Sequence, residues 1–192
     1  MGLLELPQEI RDEILSYSVA RPSQSMVVAA YPQVFDPLAS YTLPQLCSVS
    51  KQLRAECLPL FYSNNTFKVD IYCQQAVLVF KKWLLTIGET ERKSLRYLVV
   101  ECDSHIDYGW ELLTRIHFDL REGTARLEDH RGKGTMAQNL FRRLEDWMQG
   151  FRVNVQSREG APFGVEELVD LMLDFRELCQ EGHFRDVRTR FP

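Results

Sequence analysis

The sequence predicts an α+β protein in which an N-terminal helical module runs directly into a small mixed β-sheet covered by helices. Three observations lead to this fold class. Over residues 43–61 the apolar positions recur at intervals of three and four, which is the spacing of a buried helix face. Over residues 66–71 the period changes to two, which is typical of a strand. Only the turn-forming residues 63–65 separate the two patterns, so helices and sheet are expected to form one compact unit.

We divide the chain of 192 residues into two regions. Residues 1–65 are expected to be the helical module, and residues 20–42 within it are expected to be a partly ordered inserted loop. The prolines of this segment favour a loop, and residues 26–30 are its only apolar run. Residues 66–192 are predicted to form the second region, which is α/β.

The helical module is expected to contain two packed helices. The first begins near Pro7, whose missing N–H is tolerated in a first turn. Its inward stripe is predicted to consist of Ile10, Ile14, Leu15 and Tyr17. The second begins near Pro44 and is expected to bend or stop at Pro59. Its buried stripe is predicted to contain Leu46, Val49, Ser50, Leu53, Cys57, Leu60 and Phe61.

After the strand over residues 66–71, the pattern predicts a helix and a second strand. The helix covers residues 73–88 and is expected to end at Gly88. A continuous apolar run over residues 95–102 then predicts a strand that is buried on both faces. The order strand, helix, strand favours a right-handed parallel crossover. The buried face of the helix is predicted to comprise Ala76, Val77, Phe80, Trp83, Leu84 and Ile87.

The next segment predicts a β-hairpin. Residues 112–121 alternate between apolar and polar side chains, and residues 124–130 can return beside them. We predict a two-residue turn at Glu122-Gly123. This register places Asp119 opposite Arg126 and His117 opposite Glu128, so that opposite charges pair across the strands.

Two amphipathic helices are predicted to complete the fold. The first follows the cap residue Thr135, and the second runs over residues 164–181 and ends at Gly182. Residues 183–192 are expected to be a frayed tail. The buried residues are predicted to be Met136, Leu140, Leu144, Trp147, Met148 and Phe151 in the first helix, and Val165, Leu168, Met172, Phe175 and Cys179 in the second.

Composition and charge argue against several classes of protein. The formal net charge of −4 argues against nucleic-acid binding. No apolar run reaches the ~20 residues that a membrane span needs. Five cysteines, mostly within apolar patterns, are typical of reduced core thiols, and the N-terminus lacks the features of a secretory leader. We therefore expect a protein of the cytoplasm, the nucleus or both, with neither a nucleic acid nor a membrane as its partner.

The sequence predicts no enzyme, cofactor or metal site. Cys102, His105, His117 and His130 offer zinc-ligating atoms, but their spacing is irregular and the chain has no C-x-x-C pair. No phosphate-binding loop and no nucleophile elbow occurs. Trp110 is the tryptophan best placed for surface recognition, with burial in the core as the alternative.

Two N-terminal segments carry a resemblance to a known family. They are Leu6-Pro7-x-Glu9-Ile10-x-x-x-Ile14-Leu15 and Leu46-x-x-Val49-Ser50-Lys51-x-Leu53-Arg54. Together with Leu60-Phe61-Tyr62 and Asn65-Thr66-Phe67, they resemble the F-box motif of the large group of fungal F-box-like proteins. The resemblance covers residues 3–71. The chain departs from the usual motif by the insertion between the two helices and by Leu53, where an aromatic residue is common.

The resemblance implies an adaptor protein. The helical module would dock on the Skp-type linker subunit of a cullin-RING ubiquitin ligase, and the rest of the chain would hold a client protein of unknown identity. The residues expected to form the docking surface and the module's own core are Leu3, Leu4, Leu6, Pro7, Ile10, Ile14, Leu15, Leu46, Val49, Ser50 and Leu53. The alternative is a stand-alone interaction or scaffold protein that keeps these residues only as core and does not bind the ligase.

Overall fold

The computed structural model describes residues 2–21, 25–29, 43–106, 110–128, 135–158 and 160–187, with side chains throughout except at 103–106, 110–112, 135–137 and 181–187. The helices are α1 (Gln8–Val19), α2 (Lys51–Asn64), α3 (Gln74–Ile87), α4 (Glu89–Ser94), α5 (Thr135–Ser157) and α6 (Val165–Val187). The strands are β1 (Met26–Ala29), β2 (Thr66–Asp70), β3 (Tyr97–Ile106), β4 (Trp110–Asp119) and β5 (Thr124–Leu127). Short 3₁₀ turns, Leu3–Glu5 and Gln45–Ser48, precede α1 and α2.

The five strands of the described ranges form one mixed sheet in the order β1-β2-β3-β4-β5. β1, β2 and β3 are parallel, whereas β4 and β5 pair antiparallel to their neighbours. The α+β class is therefore confirmed, and so is the parallel pairing of the strands on either side of α3. Residues 26–29, inside the predicted insertion, form β1, which the sequence analysis did not identify as a strand. The neighbouring residues 22–24 and 30–42 lie outside the described part of the chain.

The alternating side chains of the paired strands give the sheet one apolar face. It is formed by Phe67 and Val69 of β2, Leu98 and Val100 of β3, and Ile116 and Phe118 of β4, all of which are buried. Helices pack on this face: the ring of Phe67 lies 5.4 Å from that of Trp83 on α3, and the ring of Phe118 lies 5.1 Å from that of Phe151 on α5. The hydrophobic core thus lies between the sheet and the helices.

The predicted core faces of the later helices are largely confirmed. All six residues predicted for α3 are buried, and Gly88 ends that helix with a positive φ of 90°. The buried residues of the last two helices include Leu140, Leu144, Met148 and Phe151 in α5, and Leu168, Met172, Phe175 and Cys179 in α6. Trp147 and Val165 pack against the core in part, whereas the side chain of Met136 lies outside the described residues.

One predicted helix end is wrong, and one of two alternatives at another is ruled out. The helix α2 does not stop at Pro59 but continues to Asn64, because the turn beyond the proline buries Phe61 and Tyr62 in the core. This burial outweighs the hydrogen bond that proline cannot donate. The helix α6 does not end at Gly182 but runs to Val187. A glycine ends a helix only where the backbone adopts the left-handed conformation, and α6 keeps its helical path through this residue.

The predicted hairpin exists, but its register is wrong. Asp119 lies opposite Thr124 and His117 lies opposite Arg126, so four residues rather than two connect β4 to β5. The difference of two residues keeps every side chain on its predicted face. The contact between His117 and Glu128 survives as a diagonal one, with Nε2 2.9 Å from the carboxylate oxygen Oε2.

The side chain of Asp119 explains the longer turn. Its Oδ1 accepts hydrogen bonds from the backbone N–H groups of Arg121 and Glu122, each at 3.1 Å. Asp119 therefore organises the turn instead of facing Arg126. Gly123 closes the turn with a φ of 64°, and a Cβ at this position would lie 2.7 Å from Val155. Both the backbone conformation and the close approach of α5 require glycine here.

The second face of the sheet is polar, and charged residues cross it from strand to strand. Lys68 Nζ lies 3.2 Å from Asp70 Oδ1 and 2.8 Å from Glu101 Oε2. Arg115 then contacts both Glu101 and Glu128, the latter at 2.8 Å. Hydrogen bonds from His117 and Arg115 lower the pKa of Glu128 to about 2. Each charged side chain of this network therefore has a partner of opposite charge.

Asp70 is the member of the network whose charge is least favoured. The residue is 8% exposed, and burial raises the pKa of its carboxyl from 3.8 to about 6, although Lys68 opposes the shift. Between these two pKa values the folded chain binds a proton that the unfolded chain does not, so lowering the pH stabilises the fold. This stabilisation is absent above the pKa of the folded state, about 6, and complete below the pKa of the unfolded state, 3.8.

We therefore expect the stability of the natural chain, relative to an Asp70→Asn variant, to increase as the pH falls from about 7 to about 4. Asparagine has nearly the same shape but does not titrate in this range, so the difference isolates the carboxyl of Asp70. Urea denaturation of both proteins across this range measures it. A difference that is independent of pH, or that decreases as the pH falls, would contradict the prediction.

Candidate partner-binding surface

An ion pair fixes the start of α1 against α2. The guanidinium of Arg11 donates to both carboxylate oxygens of Glu56, from Nε at 3.1 Å and from Nη2 at 2.9 Å. Its third nitrogen, Nη1, donates to the backbone oxygen of Leu6 at 2.5 Å, and Gln52 donates to Glu56 from the same helix. Two-pronged contacts of this kind set orientation as well as distance. Arg11 therefore holds α1, the chain that precedes it and α2 in one arrangement.

A buried asparagine fixes the other end of α1. Asn65 follows α2 and is 1% exposed. Its Nδ2 donates to the backbone oxygens of Val19 at 2.9 Å and Phe61 at 2.8 Å, and its Oδ1 accepts from the backbone N–H of Arg21 at 2.6 Å. One side chain thus forms hydrogen bonds with backbone groups at the C-terminal ends of both helices.

These two contacts determine which face of α1 points inward. Arg11, Leu15 and Val19 are four residues apart and face α2, and the latter two are completely buried. The predicted inward stripe is therefore wrong except for Leu15. Ile10 is 46% exposed, Ile14 is 41% exposed and Tyr17 is 79% exposed. Leu15 and Val19 lie at helical spacing, but so do the exposed apolar residues of α1, so spacing alone does not identify the inner face.

Exposed apolar residues on α1 and in the segment just before it form what we call the apolar stripe: Leu4, Pro7, Ile10, Ile14 and Tyr17. All five are exposed. The last three lie at spacings of four and three on α1, so their side chains are neighbours on one face of the helix. Scattered apolar residues are common on protein surfaces, whereas a row of large ones is typical of a binding surface. We therefore take the apolar stripe as the candidate functional site.

The eleven residues of the predicted docking surface and core divide into three groups. Leu15 and Leu53 are buried in the core. Leu3, Leu6, Leu46 and Ser50 are half-buried, and Ser50 caps α2 by accepting a hydrogen bond from the N–H of Leu53 at 3.1 Å. The exposed group consists of Leu4, Pro7, Ile10, Ile14 and Val49. Four members of this exposed group belong to the apolar stripe, and Val49 lies in the turn before α2 with 67% of its surface exposed.

The thiols in this part of the chain face the core. Cys47 and Cys57 are both buried, and burial raises the pKa of the Cys57 thiol to about 11. A thiol with so high a pKa is almost entirely protonated at neutral pH, and the protonated form is a poor nucleophile. These two residues therefore act as apolar packing groups.

The described residues offer no metal cluster and no membrane span. Among them, no three His, Cys, Asp or Glu side chains are grouped so that they could hold a metal ion. The side chains of His105, His130 and Trp110, which the sequence analysis considered as functional groups, lie outside this description. No helix within the described ranges combines the length and the apolar character needed to cross a membrane.

No protein-family model, curated protein or solved structure matches the chain. Any indication of function must therefore come from the structure itself. The relevant observations are the α+β fold and the apolar stripe on and just before α1. The stripe is held in place by Arg11 and Asn65, so its exposure follows from the packing of α1 on α2.

Proposed function

We propose that this protein is a non-enzymatic adaptor whose N-terminal helix binds the Skp-type linker subunit of a cullin-RING ubiquitin ligase, while the region that begins at β2 holds a client protein. The observation that carries the proposal is the exposure of Ile10 and Ile14 on α1. These residues belong to the segment that resembles the F-box motif. Reduced core thiols suit such a protein, which would act in the cytoplasm or the nucleus.

The packing of α1 supports the view that the apolar stripe is already ordered before a partner binds. The contacts of Arg11 and Asn65 hold the helix at both ends, so binding would need little ordering of the backbone. Binding energy at such surfaces is concentrated in a few large apolar residues. Ile10 and Ile14 meet this description, because they are large and lie one helical turn apart.

The test is to replace Ile10 and Ile14 together with glutamine and to titrate purified linker subunit in a calorimeter. Glutamine preserves helix propensity but removes the apolar surface. We expect the affinity to fall by about a hundredfold, which corresponds to about 2.7 kcal/mol. Because 46% of Ile10 and 41% of Ile14 are exposed, we expect the free energy of unfolding to change by about 1 kcal/mol or less per residue.

The matched control replaces Leu78 and Leu85 of α3 with glutamine. These leucines are 52% and 61% exposed, so the control also removes two exposed aliphatic side chains from one helix. We expect it to bind the linker subunit with unchanged affinity. If the natural chain itself does not bind the linker subunit at micromolar concentration, the adaptor proposal fails and the alternative of a stand-alone interaction or scaffold protein is left.

A further inference from the structure

A cavity of about 380 Å³ lies at the end of the sheet where β3 begins, far along the chain from α1. Most of its described walls come from three parts of the chain: α4 with the connection to β3, the β4 to β5 turn, and the α5 to α6 connection. The helices α2, α5 and α6 contribute one residue each. The α5 to α6 connection contributes an apolar wall that includes Ala161, Pro162 and Phe163, and Leu95 contributes from the connection between α4 and β3. The cavity therefore combines residues that only the folded chain brings together.

The charged residues among the described lining are all cations: Arg92, Lys93, Arg96 and Arg121. Two of them have carboxylate partners outside the lining. Arg96 contacts Asp119 at 2.9 Å and Glu122 at 3.6 Å, and Lys93 contacts Glu89 at 2.7 Å. Arg92 and Arg121 have no carboxylate partner among the described residues. In a chain whose net charge is −4, the described lining of this cavity thus carries an excess of positive charge.

We propose that the cavity binds a phosphate monoester, carried either by a small molecule or by a phosphorylated side chain. Arg92 and Arg121 would donate to the phosphate oxygens, because a guanidinium presents its N–H groups in a planar fork that suits two oxygens at once. The group attached to the phosphate would lie against Ala161 and Pro162, the exposed apolar residues of the lining. This inference goes beyond the adaptor proposal, since it assigns a ligand to a different part of the molecule.

The experiment is a titration of isotope-labelled full-length chain with inorganic phosphate, followed by nuclear magnetic resonance at constant ionic strength with chloride as the balancing anion. We expect chemical-shift changes concentrated at the amides of Leu95, Arg96 and Ala161, which line the cavity. An Arg92→Gln/Arg121→Gln variant should bind at least about tenfold more weakly. The same spectra show whether the variant is folded.

The matched control is an Arg54→Gln/Lys82→Gln variant. It also removes two positive charges, but both residues are exposed on helices and neither lines the cavity. We expect it to bind phosphate within about twofold of the natural chain. Equal weakening by the two variants, or shift changes in the natural chain that are not concentrated at the cavity, would overturn the proposal.

Two short peptides identify the source of the phosphate. If a phosphoserine peptide binds at least about tenfold more tightly than inorganic phosphate while its unphosphorylated form does not bind, the ligand is a phosphorylated side chain. If the peptide and inorganic phosphate bind equally, the ligand is a small phosphate compound. The Ile10→Gln/Ile14→Gln variant should bind phosphate like the natural chain. Phosphate titration therefore tests this proposal, whereas linker-subunit titration tests the adaptor proposal, and either can fail without the other.

Discussion

Replacing Phe67 with alanine is expected to destabilise the protein by about 3–5 kcal/mol, which is a large part of the stability of an ordinary domain. Phe67 is completely buried on β2, and its ring centre lies within 6 Å of three others: Phe61 at 5.8 Å, Tyr62 at 5.4 Å and Trp83 at 5.4 Å. Truncation would leave a cavity where α2 and α3 meet the sheet. Three large rings on two helices cannot all move to fill it.

Urea denaturation measures this effect, with Leu78→Ala as the control. Leu78 lies on α3, as Trp83 does, but half of its surface is exposed, so we expect its truncation to cost about 1 kcal/mol or less. A loss of stability for Phe67→Ala that is no larger than for the control would show that the core rearranges to fill the space.

Replacing Asn65 with alanine is expected to cost about 3 kcal/mol, because it removes three hydrogen bonds from a buried position. The backbone oxygens of Val19 and Phe61 would lose their donor, and the N–H of Arg21 would lose its acceptor. A buried polar group without a partner costs about 1–3 kcal/mol. The effect therefore comes chiefly from the groups that remain and much less from the lost side-chain volume.

The neighbouring residue provides the control. Asn64 is exposed at the last position of α2, so we expect Asn64→Ala to change the free energy of unfolding by about 0.5 kcal/mol or less. The comparison requires urea denaturation of both variants under the same conditions. Equal effects of the two substitutions would mean that Asn65 does not join the ends of α1 and α2 as the structure indicates.

The sheet shows where sequence patterns were sufficient and where they were not. Continuous apolar runs and a clear helical period predicted α3 and β3, because these elements bury their residues against several neighbours at once. β1 was not predicted, since four residues within a proline-containing segment become a strand only when β2 is beside them. The hairpin register depended on the backbone hydrogen bonds of Asp119, which charge pairing across the strands did not reveal.

By itself, the sequence determined the α+β class, most of the helices and strands, and the buried faces of α3, α5 and α6. Period and turn chemistry are local properties, and these faces follow from them directly. The tertiary structure alone decided which side of α1 is exposed. The apolar residues of this helix are compatible with more than one orientation, and the contacts of Arg11 with Glu56 and of Asn65 with Val19 select the one that exposes Ile10 and Ile14. These contacts join residues about 45 positions apart, so no local pattern in the chain contains them.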